Sequence, residues 1–169
     1  MGFVVETGAG LSTATSYVSV AEALAYHADR GNTAWAAGST AATQVALMRA
    51  TQAVDAKGLR RFVGTKLLET QALAWPREDG IDAEGYELAS DAVPIAVKNA
   101  TCEGALMELA SAGVLQPTLD RGGMVTRERV EGAIDISYAN GAPQGTVYTA
   151  YLNALSPVLR SGGIAVERV

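Results

Sequence analysis

Cysteine and histidine are almost missing from these 169 residues: Cys102 and His27 stand alone. A single thiol forms no intrachain disulfide and no cysteine-based zinc cage, which excludes a disulfide-stapled scaffold and fits a reducing compartment. Bases are scarce too, thirteen Lys and Arg against eighteen Asp and Glu, with only three Lys. The net charge of -5 argues against general coating of nucleic acid by phosphate neutralisation and leaves only a local basic patch open. No apolar run approaches the roughly 18 residues of a membrane span. The start, Met1 to Glu6, lacks the basic region of a secretory signal. The expectation is a soluble, unexported protein with no membrane partner.

Alanine is abundant, 31 residues, which favours helices because it loses no side-chain entropy there. The length suits one domain with its own core. Gly8, Gly10, Ser12, Thr13, Thr15 and Ser16 make residues 1–16 read as an extended arm, mobile or draped over the body. Ser19 and Glu22 form a capping-box pattern opening a helix over about 20–30, with Gly31 as its stop. A second helix spans Ala41 to Lys57, with Leu47, Ala50 and Val54 on one face and Gly58 after it. Residues 59–93 are punctuated by Gly64, Trp75-Pro76, Gly80 and Gly85, and read as a long ordered connection with one short helix near Thr70 to Ala74. Asp91 and Pro94 open a third helix to about Ala112, with Ile95, Cys102, Leu106 and Leu109 on its apolar stripe. The period then shortens to two over 124–130 and 133–138, the pattern of a hairpin around Glu131-Gly132. Val147 to Leu159 is a fourth amphipathic segment, and 161–169 a flexible apolar tail. The fold class is therefore mainly α: a small helical bundle over 17–160, including a β-hairpin at 124–138, with an extended C-terminal tail.

Few residues carry recognisable chemistry. Gly8-Ala9-Gly10 follows an apolar start but lacks the third glycine and the immediate helix of a dinucleotide fold. Acids at 78–91 do not align with a calcium loop, because Gly80 would fall at the first ligand position, so a solvated loop is the better reading. No nucleophile elbow occurs, and His27 and Cys102 read as packing residues. No catalytic, cofactor or metal site is expected, and the chain reads as no enzyme. Arg60 and Arg61 beside Phe62, with Lys66, combine base and aromatic as a single-strand platform would. The competing reading is a helix C-terminus decorated with cations that suit its dipole. Trp35 and Trp75 read as core anchors.

Four segments in order, Thr15 to Ala23, Tyr26 to Trp35, Leu47-x-Arg49-Ala50-Thr51 and Gln71 to Arg77 with its Ala-Trp-Pro-Arg block, resemble a tailed-bacteriophage family labelled putative DnaT-like single-stranded DNA-binding protein. That family is similar to the head-to-tail connector, or adaptor, proteins of the virion neck. The resemblance covers about residues 4–138. It implies a bundle subunit, assembled in the bacterial cytoplasm, that forms a homo-oligomeric ring of about twelve copies beneath the portal and joins the filled head to the tail. Its partners would be the portal protein, the next neck or tail-completion protein and further copies of itself, with packaged DNA passing through. In that reading Ile164, Val166 and Val169 form a portal-docking tail, ordered on binding, and Val125, Arg127, Arg129, Ile134 and Ile136 of the hairpin face a neighbouring subunit. The family label also implies the alternative: a single-stranded DNA-binding replication protein, with Arg60, Arg61 and Lys66 as nucleic-acid contacts.

Overall fold

The computed structural model describes residues 2–117, 127–130, 134–137 and 148–160, the two strands 127–130 and 134–137 by their backbone only. The body is a helical bundle. Helix α1 (Val20–Asp29) begins at Ser19, whose hydroxyl accepts the Glu22 N–H while the Glu22 carboxylate accepts the Ser19 N–H. That reciprocal pair satisfies amides which a helix start otherwise leaves open. A short helix, α2 (Thr33–Ala36), carries the buried Trp35 between the two helices that the sequence marked. Helix α3 (Thr40–Gly58) and helix α4 (Ile95–Ala110) form the central pair. Helix α5 (Thr149–Leu155), continued by a 3-10 turn at Ser156–Val158, packs on α4. Pro157, which has no N–H to donate, sits where the α-helix tightens.

Leu47, Ala50 and Val54 are fully buried on α3, as their spacing predicted. On α4 the expected stripe is corrected. Ile95 is 76% exposed, and Leu106 and Leu109 are only half-buried; the face turned inward carries Val97, Ala100, Thr101, Gly104 and Ala105 alongside Cys102. Size explains the choice. A Cβ on Gly104 would lie 3.3 Å from that of Ala50 and 2.9 Å from Leu115 Cδ1, so the helices meet closely only where side chains are small.

The connection between α3 and α4 is ordered without the short helix expected near Thr70 to Ala74. A two-residue pair, β1 (Thr65–Lys66) and β2 (Arg77–Glu78), runs antiparallel across its base. Inside that loop the Gln71 side chain replaces helical hydrogen bonds. It accepts the Leu68 N–H at 2.9 Å and donates to the Leu73 and Pro76 carbonyls at 2.9 and 3.0 Å. The segment pivots on Trp75, which is buried against Phe62 in an edge-to-face pair with centroids 5.5 Å apart.

Residues 2–16 are draped rather than mobile. Val4 accepts from the Thr15 and Ser16 amides, and Leu11 accepts from Ala72, so the segment closes on itself and on the connection. The hairpin is present as antiparallel β3 (Arg127–Val130) and β4 (Ile134–Ser137), both within the segments that the sequence pattern marked. Val125, the side chains of Arg127, Arg129, Ile134 and Ile136, and the tail residues Ile164, Val166 and Val169 lie outside what the structure describes.

Replacing Trp75 with Ala should lower the unfolding free energy by about 3–5 kcal/mol, measured by urea denaturation; a loss below about 1 kcal/mol would mean that the indole is not a core element. Ser19→Ala should cost about 1 kcal/mol by the same measurement.

Candidate nucleic-acid interface

Two of the three cations that the sequence offered, Arg60 and Arg61, lie just beyond the C-terminal end of α3. Lys57 lies in its last turn, where a positive charge suits the helix dipole. The last helical residue is Gly58, and nothing larger fits there: a Cβ would run into the Phe62 ring, which folds back under the helix end. The Arg61 and Phe62 amides both donate to the Gly58 carbonyl, at 2.9 and 3.0 Å. This reversal needs Arg60 in the left-handed region, φ 63°, and leaves its side chain exposed. For a non-glycine residue such a conformation costs about 1 kcal/mol or more.

Tertiary structure adds a fourth cation that no local pattern announced. The Arg160 N–H donates to the Arg61 carbonyl at 2.8 Å, so the end of the α5 segment lies beside the end of α3. Arg61 and Arg160 are thereby neighbours, with Lys57 in the last turn of α3 and Arg60 just beyond it; in this basic edge no cation makes an ion pair with a described carboxylate. The edge borders a groove of mixed character. Asp82 and Glu84 line it opposite Arg61 and Arg160, held there by the Ala83 N–H donating to the Pro157 carbonyl at 2.7 Å.

Lys66 stands apart from this edge, on β1, with its ammonium 3.3 Å from the Gln71 carbonyl. Arg77 is spent inside the fold: its guanidinium donates to the carbonyls of Val63, Gly64 and Ala74. Burial lowers its pKa, with Tyr17 and Asp55 opposing. The aromatic half of the expected platform is withdrawn. Phe62 is buried, and Trp35 and Trp75 are each 1% exposed. Among the described residues the rings left near the surface are Tyr86, 68% exposed within the acidic loop, and the half-buried Phe3, Tyr26 and Tyr148.

The other residues with chemical potential serve packing. The Gly8-Ala9-Gly10 turn is an anion cradle, but its anion is internal. The Glu6 carboxylate, 2% exposed, accepts the N–H groups of Gly8, Gly10 and Leu11 at 2.9, 3.0 and 2.8 Å. His27 Nε2 donates to the Cys102 carbonyl at 3.1 Å, and Nδ1 accepts from the Asn32 amide at 3.2 Å, which fixes the neutral ring between Tyr26 and Trp35. Burial lowers its pKa, against the Cys102 carbonyl and Glu103, which raise it, and with a smaller push downward from Arg30. The Cys102 thiol is pushed up to about 12, first by burial and then by Glu22 and Glu103, so it stays protonated and inert. Among the described residues two buried side-chain polar atoms have no hydrogen-bond partner, Trp75 Nε1 and the Tyr151 hydroxyl. No described helix is long and apolar enough to cross a membrane.

Compared with known families, the whole chain, residues 1–169, matches the one described as "Putative DnaT-like ssDNA binding protein". The chain belongs to that family. Searches of the curated proteins and of the solved structures return no match.

The buried ring sets one pH dependence. His27 titrates near 6.5 when unfolded and lower when folded. Between those values the unfolded chain binds more protons, so stability contributed at pH 7 is lost as pH falls through that window. A His27→Gln variant should be less stable at pH 7.5 and show a shallower decline in urea midpoint toward pH 5. Parallel curves for the two proteins would show that the imidazole charge plays no part. Asp55, whose carboxyl burial raises against the pull of Tyr17 and Ala74, is common to both and cancels from the comparison.

Proposed function

We propose that this chain acts by binding rather than by catalysis, and that it holds single-stranded DNA along the edge formed by Lys57, Arg60, Arg61 and Arg160. The family supplies the ligand class. The observation that carries the placement is the Arg61 to Arg160 contact, which brings a fourth cation to the end of α3 with no described carboxylate paired to any of the four. Such an edge meets backbone phosphates and releases their counterions, which makes binding steeply salt-dependent. The net charge of -5 opposes phosphate over the rest of the surface, and Asp82 and Glu84 oppose it within the groove beside Arg61 and Arg160, so contact is limited to the cations themselves.

A second reading is supported by a different observation. Single-strand platforms stack bases on aromatic faces, and Trp35, Trp75 and Phe62 are withdrawn into the core. That arrangement suits a structural protein of the virion neck, as the sequence resemblance implied. In that reading copies of the chain form a ring under the portal, duplex DNA passes through, and the segment containing Ile164, Val166 and Val169 docks on the portal.

A titration with labelled oligothymidine at several salt concentrations, together with native mass spectrometry of the protein with and without its cognate portal, separates the two. The first reading expects binding whose logarithmic salt slope falls in magnitude by about 1.4 when Arg60 and Arg61 are both changed to Ala, at about 0.7 per phosphate contact. Absence of oligonucleotide binding together with a ring on the portal would replace it with the second. Under that second reading, deleting residues 164–169 should leave the subunit folded and abolish portal docking.

A further inference from the structure

A cleft of about 330 Å³ opens between the last turns of α3 and the start of α5, with Val114 to Pro117 along its side. We propose that this cleft is a nucleobase pocket, which seats one unstacked base of a bound single strand against Tyr148 and Tyr151. The proposal rests on the single-stranded DNA reading and gives it the stacking surface that the indoles, buried in the core, do not offer.

The cleft exists because its two walls differ in bulk. Helix α3 contributes Ala53 and Ala56, which leave space, and the opposite wall carries the two tyrosines. Ligand clefts run from about 300 to 1,000 Å³, so the space suits one planar ring system. Its polar groups suit a base without selecting which one. Gln116 is exposed at the opening, and its amide both donates and accepts, as the edge of any base requires. Lys57 lines the same cleft and begins the basic edge, with Arg60 and Arg61 just beyond the helix end. A strand with one base in the cleft therefore has Lys57, and beyond the helix end Arg60 and Arg61, within reach of its neighbouring phosphates.

The Tyr151 hydroxyl supplies the second observation. Its side chain is 95% buried, since the residue is 5% exposed, and the oxygen has no hydrogen-bond partner. Burial raises its pKa, with a smaller push from Asp55, so at neutral pH it remains a donor with nothing to donate to. An unpaired buried hydroxyl does not stabilise the fold. A base brings carbonyl oxygens and ring nitrogens that accept from it once the Tyr151 ring turns toward the cleft, since the oxygen is closed to solvent when the cleft is empty.

The test uses the full chain and an oligothymidine with one 2-aminopurine, whose emission is quenched on stacking. Three readouts are taken: affinity by anisotropy, quenching, and the thermal midpoint of each variant. The wild type should quench the probe. Tyr148→Ala should abolish the quench and weaken binding at least fivefold, within the range found for removing a stacking ring. Tyr151→Phe should melt at or above the wild-type temperature and yet bind at least threefold more weakly, a combination that a purely structural hydroxyl would not produce. Wild-type affinity and quenching in both variants would overturn the pocket and leave the basic edge as the binding site. A lowered melting temperature for Tyr151→Phe would assign the hydroxyl to the fold and overturn its role as a donor to the base. Failure of the wild type to bind the oligonucleotide would overturn the single-stranded DNA reading itself, and the pocket with it.

Discussion

Three parts of the chain that are far apart in sequence depend on one half-buried carboxylate. Asp55 on α3 accepts the Tyr17 hydroxyl and, at 3.0 Å, the Ala74 N–H, while the Tyr17 oxygen accepts the Trp75 N–H at 3.1 Å. The Tyr17 N–H in turn donates to Thr51 Oγ1 one turn earlier on α3, at 3.4 Å. These bonds tie the N-terminal segment, the central helix and the long connection at one point. Charge-assisted hydrogen bonds of this kind are stronger than neutral ones, and the low-dielectric surroundings make an unpaired partner costly. Burial, then Asp55, raises the Tyr17 pKa well above 10, so the hydroxyl stays a donor to the carboxylate.

Everything that positions the basic edge follows from this tie. With Trp75 held, Phe62 has a surface to fold against, and Gly58 leaves the room for it to do so. Arg61 is then placed where Arg160 can pair with its backbone, and Arg60 is left facing water. Arg77, by contrast, is consumed by three carbonyls of the same loop. Residues of one charge, close in sequence, are thus divided by packing into one that builds the loop and others that remain available to a ligand.

The same division governs the features that looked functional at first sight. The glycine turn at 8–10 has the backbone geometry of an anion site, but Glu6 occupies it from within. His27 and Cys102 are hydrogen-bonded to one another through the Cys102 carbonyl and closed off from solvent. Tyr148, Tyr151 and Gln116, in contrast, carried no signal in the sequence as binding residues. Their helical spacing and loop position have the same form in a plain core, and only the open space beside Ala53 and Ala56 distinguishes them.

Local rules determined the helix boundaries: the Ser19 and Glu22 box, the α3 face of Leu47, Ala50 and Val54, and the hairpin pattern all depend on near neighbours, whose interactions the order of residues specifies directly. The burial of Trp35 and Trp75 was legible for the same reason, since large apolar side chains seldom stay in water. The buried face of α4 was not, because Ile95 and Leu106 out-score the small residues in hydropathy while close approach to α3 selects the small ones. Nor was the loop built on Gln71, whose three hydrogen bonds compete with a helix and become favourable only once the segment is buried. The membership of Arg160 in the basic edge, 99 residues beyond Arg61, was decided by tertiary structure alone, because a contact over that separation depends on how the intervening helices pack and leaves no trace in local spacing.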